Sequence, residues 1–165
     1  MPNSILVAYA TNYGSTREVA EEIAERIRAQ GADATVGEVR GIKSLAGYDL
    51  VVLGAPLYMF RWHRHAKAFL KRLKKQLSAV PVAVFALGPW HDDEKEFSDA
   101  RGQLDKELAR FPWFKPVAVE LFGGKFDPGS LRFPYRLIPA LKMEPAGDVR
   151  DWDAIGSWAE SLPGR

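Results

Sequence analysis

Three runs in this chain, ILVAYA at 5–10, LVVLGA at 50–55 and VAVFAL at 82–87, are apolar almost throughout. A strand with one face in water alternates apolar and polar residues, whereas a strand covered on both faces has no need to. The three runs therefore predict the central strands of a parallel sheet sandwiched between helices. Two further β-rich runs, Ala34–Val39 and Val117–Phe122, bring the strands to five.

Helical patterns separate these runs. Thr16–Ala29 places Val19, Ala20, Ile23 and Ile27 at spacings of three and four, and Gly31 ends it. His65–Leu77 carries Ala66, Phe69, Leu70, Leu73 and Leu77 on one face and Lys67, Lys71, Lys74 and Lys75 on the other. Ser98 is expected to cap a third helix that buries Leu104, Leu108 and Phe111, and Asp151 a last one carrying Trp152, Ile155, Ala159 and Leu162. Alternation of five strands with helices over 165 residues predicts a single domain: an α/β three-layer sandwich, doubly wound, with a five-stranded parallel sheet in the order 2-1-3-4-5. In that order a ligand sits beyond the carboxyl ends of strands 1 and 3, where the winding reverses.

Composition narrows the chemistry. The chain has no cysteine, so thiol nucleophiles, thiolate metal sites and disulfides are excluded, and any redox work must run on a bound cofactor. The net charge of +2 hides an asymmetry: between Asp49 and Asp92 there is no acid, and residues 50–91 carry +7, leaving −5 for the remainder. A basic sector of this kind suggests a surface that meets something anionic. The longest apolar stretch, Leu50 to Phe60, is interrupted by Gly54 and Pro56 and falls short of the roughly 20 residues that span a bilayer. With no signal-peptide pattern at the N-terminus, a cytoplasmic protein is expected.

The residues after each central strand carry the functional signal. After strand 1 come Thr11, Asn12, Tyr13, Gly14, Ser15 and Thr16, hydroxyls and a glycine turn at a helix start, which suits a terminal phosphate held by hydrogen bonds and the helix dipole. The same residues are also explained if Ser15 or Thr16 merely caps the helix. After strand 3 come Pro56, Leu57, Tyr58 and Met59, then Phe60 to His63; at the end of strand 4 come Leu87, Gly88, Pro89 and Trp90. Two aromatic-bearing loops beside a phosphate nest describe a slot for a flat ring joined to a phosphate.

The stretch Thr11-Asn12-Tyr13-Gly14-Ser15-Thr16 resembles the flavodoxin phosphate loop, Thr/Ser-x-Thr-Gly-x-Thr, with Tyr13 in place of the middle threonine. Pro56–Met59 and Leu87–Trp90 fall where that family's two flavin-ring loops lie. The resemblance implies FMN as cofactor and Tyr58 or Trp90 as a ring-stacking partner. Rival readings of the fold fail on residues: a receiver domain needs an aspartate where Gly54-Ala55 stand, and neither Gly-x-Gly-x-x-Gly after strand 1 nor Gly-x-Ser-x-Gly anywhere is present.

Residues 123–150 form a 28-residue connection where about 2–6 are usual in α/β units. Its middle, 131–143, mixes large apolar residues with Arg132, Arg136 and Lys142, and could lie on an anionic membrane surface, cover the cofactor, form a subunit contact or pack back on the domain. This insertion, the Trp62-His63 segment and the Asp151-Trp152 helix start are together similar to the menaquinone-dependent protoporphyrinogen IX dehydrogenase family, whose members pass electrons from a porphyrinogen through FMN to a respiratory quinone. The resemblance implies an FMN-dependent oxidoreductase with a quinone or other small-molecule partner and a peripheral contact at the inner membrane surface through 131–143. The alternatives are an electron carrier to a protein partner and, more remotely, a nucleic-acid-binding module. Arg61 and Arg64, with Arg132 or Arg136, are candidates for meeting propionates or lipid phosphates. His63, His65 and His91 are proton-relay candidates; His63 and His65, two apart, are expected on different helix faces, and no metal site is expected.

Overall fold

Along the first strand, successive side chains enter two different hydrophobic layers. Ile5 and Val7 pack with Val19, Ile23 and Ile27 on one side of the sheet, while Leu6 and Ala8 pack with Phe69, Leu70 and Leu104 on the other. The same division holds for Val52 against Val51 and Leu53, and for Phe85 against Val84 and Ala86. That is why these runs lack polar alternation: every position faces a helix layer, and each fully buried Leu, Ile or Val contributes about 1.5–3 kcal/mol.

The computed structural model of the chain describes residues 3–58, 61–128, 137–143 and 146–164. Strands β1 (Ser4–Tyr9), β2 (Asp33–Glu38), β3 (Leu50–Tyr58), β5 (Val82–Leu87) and β6 (Ala118–Phe122) form a parallel sheet in the order β2-β1-β3-β5-β6. Between β3 and β5 a short strand, β4 (Arg61–Trp62), turns back antiparallel on β3. Counting the five long strands alone, the order is the 2-1-3-4-5 expected from the sequence. Helices α1 (Ser15–Ala29) and α6 (Trp152–Ser161) cover one face, with α2 (Arg64–Arg72), α3 (Lys74–Leu77) and α4 (Glu94–Ala109) on the other.

Several local expectations change. The long basic helix divides at Leu73, whose φ of −108° and ψ of 24° leave the α region while its side chain stays buried. The third helix begins at Glu94, ahead of the expected Ser98 cap: Asp93 is the cap, accepting from the amides of Lys95 and Glu96, and Ser98 lies inside α4. Asp151 caps α6 as expected, through the amide of Ala154, but Trp152 remains 37% exposed instead of entering the core. The 123–150 connection contains its own two-stranded sheet, β7 (Lys125–Phe126) with β8 (Gly147–Asp148), and the short helix α5 (Pro139–Met143). Within the segment singled out at 131–143, Arg132 and Arg136 lie outside the described residues, as does Met59.

Candidate functional site

The carboxyl ends of β1, β3 and β5 and the root of the insertion meet around one cleft. It is lined by Asn12, Tyr13 and Ser15 from the first loop, Pro56, Leu57 and Tyr58 from the end of β3, and Leu87, Gly88 and Trp90 from the end of β5. Thr11, Gly14, Thr16 and Pro89 shape the same loops without lining the cleft themselves. Sequence reasoning missed the fourth wall: Gly124, Lys125, Phe126 and Asp127 of the insertion, together with Glu18 of α1.

At the first loop, Gly14 is the N-cap of α1 with φ of +93°, a conformation that glycine adopts without strain. The cap position is thus taken by a residue with no side chain, and neither Ser15 nor Thr16 plays the capping role that the sequence also allowed. The Thr11 hydroxyl accepts from the Gly14 amide at 2.8 Å and closes the turn. Thr16 is wholly buried, and among the described residues its hydroxyl has no hydrogen-bond partner. A buried unsatisfied hydroxyl costs about 1–3 kcal/mol, and one at a helix N-terminus is satisfied at once by an anion seated on the loop.

The aromatic segment after β3 is a hairpin arm and not an open loop. β3 continues to Tyr58, and β4 returns with Leu57 opposite Trp62 and Tyr58 opposite Arg61. Trp62 is 1% exposed, and its indole N–H donates to the Ala55 carbonyl at 3.1 Å. Glu107 of α4, itself buried, accepts from the Trp62 amide at 3.1 Å and from the Lys67 ammonium at 2.8 Å. Burial pushes the Glu107 carboxyl up, but the hydrogen bonds from Lys67 and Trp62 outweigh it and hold its pKa below the ordinary value.

His63 follows directly. Its amide donates to the Pro56 carbonyl at 3.1 Å, its Nδ1 accepts from the His65 amide at 3.0 Å as the N-cap of α2, and its Nε2 lies 2.9 Å from Asn12 Oδ1. Because His63 precedes the helix, its ring touches that of His65, with centroids 4.8 Å apart, contrary to the expectation of separate faces. Burial, reinforced by His65 and Arg64, lowers the His63 pKa to about 4. His91 pairs instead with Glu96 at 3.2 Å on the exposed start of α4.

The aromatic side of the cleft is built on close backbone contacts. Gly124 donates its amide to the Pro89 carbonyl at 2.7 Å, and a Cβ at Gly124 would stand 2.6 Å from the Gly88 carbonyl oxygen. A Cβ at Gly147 would stand 2.8 Å from the Trp90 carbonyl oxygen. Glycine lets the β7–β8 pair lie directly on the 88–90 loop, which is how Phe126 reaches Trp90; Tyr58 and Trp90 have ring centroids 6.2 Å apart. Arg150 anchors the other end of the insertion. Its buried guanidinium pairs with Asp148 at 2.8 Å, lies 3.4 Å from Glu18, donates to the Ser15 carbonyl and covers the Trp152 ring at 4.8 Å.

On the far side of α2, Arg64, Lys67 and Lys71 share a helix face and form a shallow groove with Arg110, floored by Phe111 and Ala68. Among the described residues, no helix is long and apolar enough to cross a membrane.

Comparison with known proteins places these features in context. Residues 6–153 match the flavodoxin domain family. The chain is 25% identical to protoporphyrinogen IX dehydrogenase [quinone] of Escherichia coli (strain K12), over 95% of this chain and 93% of that protein. Among solved structures it is similar to a Streptococcus pneumonia TIGR4 flavodoxin (TM-score 0.60, 15% identity, 98% of each chain). Oxidised Flavodoxin 1 from Bacillus cereus superposes with a TM-score of 0.59 at 16% identity, again over 98% of each chain.

Proposed function

The chain belongs to the flavodoxin domain family and binds FMN, and from that premise we propose that it is an oxidoreductase that takes electrons from an anionic small molecule and passes them to a quinone. The observation that carries the cofactor assignment to particular residues is the Thr16 hydroxyl, buried at the start of α1 without a partner among the described residues, in the loop whose Asn12 and Ser15 line the cleft. A phosphate seated on that loop would give it an acceptor. In this reading Thr11 to Thr16 hold the phosphate end, while Pro56 to Met59 and Leu87 to Trp90, joined by Phe126, hold the ring. Bound there, FMN supplies the one- and two-electron chemistry for which a cysteine-free chain has no side chain.

The chain's own residues contribute binding, orientation and exclusion of water. Tyr58, Trp90 and Phe126 offer flat apolar surface, and the β7–β8 pair covers one side of the slot. The dehydrogenase reading is supported by the relationship with the Escherichia coli enzyme along almost the whole chain. A peripheral contact with an anionic membrane through 131–143 belongs to the same proposal, supported by Leu137 and Met143, 61% and 84% exposed. Electron transfer to a protein partner is the second reading, favoured by full-length similarity to flavodoxins.

The deciding experiment loads the protein with FMN and follows the flavin spectrum anaerobically. Bleaching by protoporphyrinogen IX and recovery on adding a menaquinone analogue are the expected results. No response to either, with rapid exchange to a redox protein, leaves the carrier reading in its place.

A further inference from the structure

His63 makes two side-chain hydrogen bonds that fix each other's polarity. The His65 backbone N–H can only donate, so His63 Nδ1 must be the bare, accepting nitrogen. The ring is neutral well above its pKa of about 4, so its single proton sits on Nε2. That proton points to Asn12, whose facing atom must then be the acceptor Oδ1, at 2.9 Å. The Asn12 carboxamide is thereby held in one of its two flip states, with Oδ1 occupied and both hydrogens of Nδ2 left over. Asn12 lines the cleft beside Tyr13 and Ser15.

We infer that His63 is a positioning residue for the phosphate end of the cofactor: it locks the Asn12 side chain so that the cleft meets an amide donor and not an amide oxygen. The inference rests on the FMN reading above and adds a specificity consequence to it. An oxygen turned toward a phosphate dianion would repel it, whereas an N–H donor to a charged oxygen is among the stronger hydrogen bonds. The loop has no lysine of its own, so each neutral donor counts for more. His63 is well placed to impose this order because its own backbone is fixed on both sides, by the bond to Pro56 and by the first turn of α2, whose Ala66 and Lys67 amides donate to the His63 carbonyl. The phosphate loop and the ring-side hairpin are thus joined through one imidazole.

The test compares FMN with riboflavin, which lacks the phosphate, by fluorescence titration of wild type, His63→Asn, Asn12→Ala and the double variant. Asparagine at 63 is a good N-cap and can still accept from the His65 amide, but is too short to reach Asn12. Each single variant is expected to weaken FMN binding about tenfold and riboflavin binding less than twofold, with the double variant no worse than Asn12→Ala. Equal losses for the two flavins, additive losses in the double variant or unchanged FMN affinity would each overturn the inference. Asn12→Asp supplies a check that leaves His63 in place: it retains an acceptor for Nε2–H but removes the donor, so FMN should suffer far more than riboflavin, and parallel losses count against the role. A wild-type chain that takes up neither flavin overturns the FMN reading itself, a result distinct from variants that behave like wild type.

Discussion

The indole of Trp90 lies on the phenyl ring of Phe126, with centroids 4.6 Å apart and planes 20° from parallel. One ring comes from the loop after a central strand and the other from the insertion, so the aromatic side of the cleft is a joint product of the two. Trp90→Ala should weaken FMN and riboflavin alike, by about tenfold, because the lost contact is with the ring that both share. Flavin titration checks this, and an unchanged riboflavin affinity would place Trp90 away from the ring.

Thr16→Val removes a hydroxyl and keeps the shape. In the cofactor-free protein the substitution should be neutral or raise stability by about 1 kcal/mol, since it deletes an unsatisfied buried group. With the cofactor present the sign should reverse: FMN affinity falls about tenfold or more while riboflavin affinity holds. Urea denaturation of the cofactor-free protein and the two titrations test both halves.

The depressed pKa of His63 makes stability depend on pH in a defined window. The unfolded chain binds this proton near the usual 6.5, the folded one only at about 4, so stability should fall as pH drops from 6.5 toward 4. His65 shifts in the same direction through burial. Glu107 and Asp148, whose pKa values are lowered, add their losses as pH falls through the ordinary carboxylate range and below it. Melting temperature measured from pH 7.5 to 4 should decline less steeply in His63→Asn than in wild type.

Removing the Glu107 carboxylate leaves the buried Trp62 amide without its acceptor and the half-buried Lys67 ammonium without its counter-charge. Glu107→Ala should destabilise the protein by about 3 kcal/mol, discounted from the largest buried-pair losses because Lys67 retains some contact with water. Asp105→Ala, which breaks an exposed pair with Arg101, should change stability by less than about 0.5 kcal/mol under the same urea titration.

The strands were readable because burial on both faces writes an unbroken apolar run, and the first loop because its hydroxyls and Gly14 recur in a known order. β4 left no such mark: two residues have no periodicity, and Trp62 in sequence is only another aromatic in an aromatic stretch. The start of α4 did carry a signal, since Asp93 followed by Glu96 has the spacing of a capping box, and its Asp93 end outcompetes Ser98. Glu107 was illegible because a single acid in an amphipathic helix reads as solvated until a tertiary neighbour brings it Lys67. In the insertion, Gly123, Gly124 and Gly147 were the available hint that backbones touch there.

The pairing of Lys125 with Asp148 and Phe126 with Gly147 holds the two ends of the intervening excursion side by side. Once its ends are fixed, lengthening a chain segment is thermodynamically mild, about 0.6 kcal/mol for each doubling. Beyond Asp127, which lines the cleft, the segment between these two strands can therefore lengthen or shorten at small cost to the cleft wall on which it is mounted. In this architecture, variation in the length of the excursion has a place to happen that leaves the carboxyl ends of the central strands as they are.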